Sequence, residues 1–154
     1  MRQALKVGLV LVLAACGGAE EAPEAAPEEA PAAGLVDPNS APIEQLLTVP
    51  GLDSANAAAI VAGRPYANMV AVNEVIGGAD DMARDVIYER LWYPLDLNSA
   101  TEEEIMLIPR VGAQLAEEFE EYRPYDSIER FRREIGKYVD ATEVARLEQY
   151  VTIR

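Results

Sequence analysis

"TVPGLDSANAAAIVAGRPY", Thr48 to Tyr66, returns 59 residues later as "LIPRVGAQLAEEFEEYRPY", Leu107 to Tyr125. Each stretch leaves an apolar pair, turns at a proline and enters a run that stops at Arg-Pro-Tyr. Ala55–Ala62 is alanine-rich and strongly helix-forming. Pro50-Gly51 breaks the chain ahead of it, and Arg64-Pro65 closes it because the residue before a proline avoids the helical region. Pairing every residue with the one 59 further on needs no gap from Asn39 to Gly77. It gives eleven identities in 39 pairs, against about two by chance, so this part of the chain is a tandem duplication.

The apolar positions keep the same register: Leu46/Ile105, Leu47/Met106, Val49/Ile108, Leu52/Val111, Ile60/Phe119 and Val72/Phe131. Each copy reads as short helices. Pro42 suits the opening turn of the first, and in the second copy Ser99 or Thr101 starts a capping box with Glu102 or Glu104. A third helix is expected to end near Ile76, a turn at Gly77-Gly78 follows, and a fourth covers about Asp80 to Leu91. No alternating strand pattern appears, so the fold class is all-α. Arg64 and Arg123 are expected on the carbonyls at the helix end, with Tyr66 and Tyr125 packed. Trp92-Tyr93-Pro94-Leu95 falls between the copies and is expected in the joint.

Asn39, Ala41, Leu46, Pro50, Gly51, Ala57, Ile60 and Arg64, then Asn98, Ala100, Ile105, Pro109, Ala116, Phe119 and Arg123, form a pattern that resembles the tandem helix-hairpin-helix family. The nearest type is that of the ComEA-like competence DNA receptors. The resemblance covers Val36 to about Tyr150. It implies two units, each a pair of hairpins, at Val49–Asp53, Ile76–Asp80, Ile108–Gly112 and Ile135–Val139. In DNA-binding members the hairpin reads Gly-apolar-Gly at a helix N-terminus, where backbone N–H groups and partial positive charge meet a phosphate. Here the four hairpins read Gly51-Leu52-Asp53, Gly77-Gly78-Ala79, Arg110-Val111-Gly112 and Gly136-Lys137-Tyr138. None fits, and Asp53 and Asp80 suit N-caps better than phosphate neighbours.

The bulk numbers agree. The net charge is −14, there is no histidine, and Cys16 is the single cysteine. Most zinc sites, Cys/His nucleophiles and any internal disulfide are excluded, and so acidic a chain repels nucleic acid at long range. The glutamates at 102–104 and 117–121 lack the loop spacing of a calcium site. No enzyme activity and no cofactor are expected. The exception to the acidity is "SIERFRREIGKY", Ser127–Tyr138, where Arg130, Arg132, Arg133 and Lys137 outnumber Glu129 and Glu134. A solvated face laced by Glu129–Arg133 pairing accounts for it. The alternative is phosphate contact, with Arg132, Arg133, Gly136 and Lys137 at the fourth hairpin, Arg110 and Gly112 at the third and Gly51 at the first.

The chain starts differently. Arg2 and Lys6 precede an apolar run of nine residues, Val7–Ala15, far short of the ~20 that span a bilayer, so residues 1–15 read as an export signal. Leu13-Ala14-Ala15-Cys16 resembles the lipobox of bacterial lipoproteins. That implies cleavage before Cys16 and acylation there, a membrane anchor, and with Gly17 next, the outer membrane of a diderm cell. Residues 16–34 hold three prolines four apart and five glutamates. They read as a disordered acidic tether, ahead of units at 35–94 and 95–154. The expected function is a non-catalytic, membrane-anchored binding or scaffolding module for an envelope protein. The alternative is a DNA receptor for uptake.

Overall fold

A computed structural model of the chain describes residues 34–77 and 80–154. The expected export signal, Cys16 and residues 16–33 of the tether lie outside the described residues, as do Gly78 and Ala79 of the second turn. The first copy runs α1 (Ile43–Leu46), α2 (Ser54–Ala62), α3 (Met69–Ile76) and α4 (Asp81–Tyr88). The second runs α5 (Glu102–Met106), α6 (Ala113–Glu121), α7 (Ile128–Ile135) and α8 (Ala141–Leu147), then a 3-10 turn at Glu148–Tyr150. Most helices begin on a side-chain cap. Asp53, Asn68, Asp80, Thr101, Ser127 and Asp140 each accept a backbone N–H three residues on, which stabilises each start by about 1 kcal/mol. Thr101 rather than Ser99 caps α5; the Ser99 hydroxyl donates to Asp96 at 2.9 Å.

Helices dominate, with one addition that no alternation in the sequence announces. β1 (Leu95–Asp96) and β2 (Val151–Thr152) pair in parallel, Leu95 with Val151 and Asp96 with Thr152. The first copy has the equivalent link as a bridge from Val36 to Leu91. Val36 donates to the Arg90 carbonyl at 2.6 Å and Trp92 to that of Val36 at 2.9 Å. Each copy thus ties its first residues to the end of its last helix. The bridge partners Leu91 and Val151, like the caps Asp80 and Asp140, are 60 apart. The turn before α8 is one residue longer than the turn before α4, so the repeat offset grows from 59 to 60 past Gly77.

The repeated Asn and Arg-Pro-Tyr residues form a clamp, made twice. Asn39 accepts from Tyr66 N at 2.7 Å and donates to its carbonyl at 3.0 Å. Asn98 does the same to Tyr125, at 2.7 and 2.9 Å. The arginines differ from expectation. Arg64 donates to the Pro38 and Ala41 carbonyls and Arg123 to those of Leu97 and Ala100, at 2.5 to 2.7 Å. These carbonyls lie in the turn that opens each copy, not at the end of the arginine's own helix. The planar guanidinium fork reaches two of them at once, joining the start of the copy to the loop behind its second helix.

The buried residues of both copies form one cluster. Trp92 is buried at the joint, its Nε1 donating to the Tyr150 carbonyl at 2.8 Å, its ring edge-on to Tyr88 and Tyr150. α3 of the first copy packs on α5 of the second. There Glu104 is buried, the only charged residue so placed among the described ones. Burial raises its pKa, while the Met69 N–H and the charge of Arg154 pull the other way and Asp96 adds to the rise.

Candidate functional site

The four turns that precede α2, α4, α6 and α8 are the ones at which the resemblance read from the sequence would put a charged ligand. In the first, Gly51 takes φ +82°, a conformation that favours glycine. A Cβ there would lie 3.2 Å from Ile87 and 3.9 Å from Val86, so the turn sits directly against α4. Asp53 then caps α2, donating no charge relief to an incoming anion; its carboxylate accepts from Asn56 N at 2.7 Å. The described part of the second turn has Gly77 at φ +32° and Asp80 capping α4 through Ala83 N at 2.9 Å.

The third turn is built otherwise. Arg110 stands where Gly51 stood and takes φ +66°, a left-handed conformation that costs a side-chain-bearing residue on the order of 1 kcal/mol. Ionic contacts surround it. Arg110 lies 3.8 Å from Glu143, and Arg146 bonds Glu143 with two nitrogens while donating to the Pro109 carbonyl at 2.8 Å. Arg146 holds the Glu143 pKa below the ordinary carboxylate value by hydrogen bonding. Gly112 begins α6 with no side-chain cap and open space around it.

The fourth turn contains most of the residues with a sequence case for phosphate contact, and each of its cations is paired with a carboxylate of the chain. Gly136 is in the right-handed helical region, and its N–H bonds the Arg132 carbonyl at 3.0 Å. A Cβ would come within 2.6 Å of that oxygen, so glycine is needed here for close packing rather than for an exposed amide. The N–H groups of Lys137, Tyr138 and Val139 return to Glu134 and Ile135 carbonyls. Arg132 bonds Glu148 twice, at 2.6 and 2.8 Å, and also meets Glu129 at 3.5 Å. Arg133 and Lys137 both hold Glu134. The Glu129–Arg133 pairing read from the sequence is therefore replaced by Glu129–Arg132, one residue closer on the helix.

Hydrogen bonds from Arg132 lower the Glu148 pKa, and those from Lys137, then Arg133, lower that of Glu134. The structure thus brings Arg132, Arg133, Gly136 and Lys137 together at one turn, groups Arg110 with Gly112 at another, and leaves Gly51 in the other copy. Sequence reading missed Glu143 and Glu148 as the carboxylates that pair with the cations of these turns, and Arg146 as the cation that shares Glu143 with Arg110. Arg146 and Glu143 are three apart on one helix and were findable as such a pair. Glu148 is 16 residues from Arg132 and carried no local signal.

Among the described residues, no three His, Cys, Asp or Glu side chains are grouped to hold a metal ion, and no helix is long and apolar enough to cross a membrane. No family model, curated protein or solved structure matches this chain.

Proposed function

We propose that this chain is a tandem helix-hairpin-helix protein, two units of two hairpins each, and a non-catalytic binding or scaffolding module for a protein partner. Lipid on Cys16 holds it at the cell envelope, in the outer membrane where the cell is a diderm. The observation that carries the reading is the engagement of Arg132, Arg133 and Lys137 with Glu148 and Glu134. A hairpin that contacts DNA presents such cations to phosphates, and each contact adds to the salt dependence of binding. Here a phosphate would compete with Glu148 and Glu134 for these cations, against a net charge of −14.

A second reading, DNA binding, has one observation in its favour. Gly112 leaves the N-terminus of α6 uncapped, and the Arg110 side chain beside it is 58% exposed. DNA contact in this chain would therefore run through the third hairpin before the fourth.

Formaldehyde cross-linking of cells that make the full chain separates the two readings. The protein-binding reading expects membrane-associated adducts that resist nuclease and collapse with protease, and loss of membrane association for Cys16→Ser. Adducts that nuclease dissolves would contradict it.

A further inference from the structure

The junction between the first turn of a copy and its last helix carries an arginine in the second copy and none at the matching position of the first. In the second copy Arg146 lies across it, its guanidinium on the Pro109 carbonyl and on Glu143, with Arg110 alongside. With the offset of 60 that holds beyond the longer turn, the first-copy residues at 143 and 146 are Ala83 and Val86; Gly51 replaces Arg110 at the offset of 59. Val86 carries no donor for the Pro50 carbonyl. It is 43% exposed, and Met82, one helical turn earlier on the same face of α4, is 80% exposed. Gly51 adds no side chain to cover either.

The rim of this apolar stripe is acidic. Asp80, Asp81, Asp85 and Glu89 follow α4, and its one cation within the helix, Arg84, is paired to Asp81 at 2.9 Å. The first copy, Val36–Pro94, carries eight acidic and three basic residues. Two such faces repel each other, as would the glutamate-rich tether of the same chain.

We infer that the stripe of Met82 and Val86 beside Gly51 docks an amphipathic helical segment of the partner protein. That segment carries apolar anchors and arginine or lysine beside them. The anchors cover Met82 and Val86, in the manner of a helix laid in a groove. The flanking cation takes the Pro50 carbonyl, the place that Arg146 holds for Pro109 in the second copy. This rests on the protein-binding reading above and names the surface and chemistry of its partner.

The test uses the full chain and a labelled amphipathic peptide of about 14 residues, leucines on one face and arginines at its edges. Anisotropy should show saturable binding that weakens about tenfold or more for Met82→Lys, and likewise for Val86→Arg, which supplies the chain's own guanidinium beside the Pro50 carbonyl. Ala145→Lys, on the exposed side of α8, should leave it unchanged. A peptide of equal charge with serine for leucine should bind at least about tenfold more weakly. Both key positions are exposed, and circular dichroism checks that the variants fold.

Absence of binding to the unaltered chain, equal binding of the serine peptide, or indifference to both α4 substitutions would overturn the proposal. So would sedimentation showing a dimer that Met82→Lys disperses, which assigns the stripe to a second copy. Nuclease-sensitive adducts in the cross-linking experiment sink the protein-binding reading itself. Peptide binding that ignores Met82 sinks only this inference.

Discussion

Arg132 grips Glu148 through two parallel hydrogen bonds, Nε to Oε1 at 2.6 Å and Nη2 to Oε2 at 2.8 Å. The pair joins α7 to the 3-10 turn after α8 and sets a carboxylate of the chain against one cation of the basic helix α7. Glu148 has a pKa lowered by that bonding. Its stabilising share is therefore present above the ordinary glutamate pKa and fades as pH falls through the lowered value. NMR titration of the Glu148 carboxyl should show its pKa rising toward the ordinary range in Arg132→Gln. Because Arg132 is half exposed, neutral-pH stability should hardly move.

The two clamp tyrosines should respond differently to losing their hydroxyls. Tyr66 donates to the Ile60 carbonyl at 2.8 Å, and it reaches there because Gly63 has no side chain; a Cβ would lie 2.3 Å from the hydroxyl. In the second copy Tyr122 stands at the position of Gly63, and the buried Tyr125 hydroxyl has no hydrogen-bond partner. Tyr66→Phe should cost about 1 kcal/mol in urea unfolding, whereas Tyr125→Phe should be neutral or stabilising. Gly63→Ala should destabilise the parent chain more than it destabilises Tyr66→Phe, which lacks the clashing atom.

Trp92 is the single tryptophan and sits between the copies, so its fluorescence reports the joint. Unfolding followed by that fluorescence and by far-ultraviolet circular dichroism should coincide in one transition. Trp92→Phe leaves the Tyr150 carbonyl without its donor and removes ring area from the core. The expected loss is about 2–4 kcal/mol. A transition that splits in two in the unaltered chain would mean that the copies are not one cooperative body.

Glu104 has the opposite pH signature to Glu148. Burial at the joint raises its pKa, so the stability it contributes is complete below the unfolded value and is lost as pH rises through the folded one. Glutamine occupies the matching position, Gln45, in the first copy, and a glutamine amide can still accept from Met69. Glu104→Gln should stabilise the chain at neutral pH, because it removes the charge that burial disfavours. It should also flatten the decline between mildly acid and neutral pH, as read from urea midpoints across that range.

What the sequence disclosed was local or repeated. The alanine run at 55–62 and the caps Asp53 and Asp80 express their preferences within a few residues, and the duplication made each reading twice. Trp92 was legible as the joint because it falls between the copies. The targets of Arg64 and Arg123 were not legible: each guanidinium bonds carbonyls 23 to 26 residues away, and backbone carbonyls look alike in every sequence. The parallel pair at Leu95 and Val151 was hidden because two-residue strands have no room for an alternating pattern. The basic stretch at 130–137 was visible as charge. Its neutralisation was not, because one of the carboxylates responsible, Glu148, is brought in by the packing of α8 on α7.

The central claim, that hairpin-like turns have been turned away from DNA by the chain's own carboxylates, is tested most directly by titrating labelled duplex DNA with the full chain. Anisotropy is read at about 50 mM and 200 mM salt, since non-specific phosphate contacts are strongest at the lower. No binding is expected at either. Binding at the lower salt that falls steeply at the higher, and that disappears in Arg132→Ala/Arg133→Ala/Lys137→Ala or in Arg110→Ala, would contradict the claim and make this chain a DNA receptor.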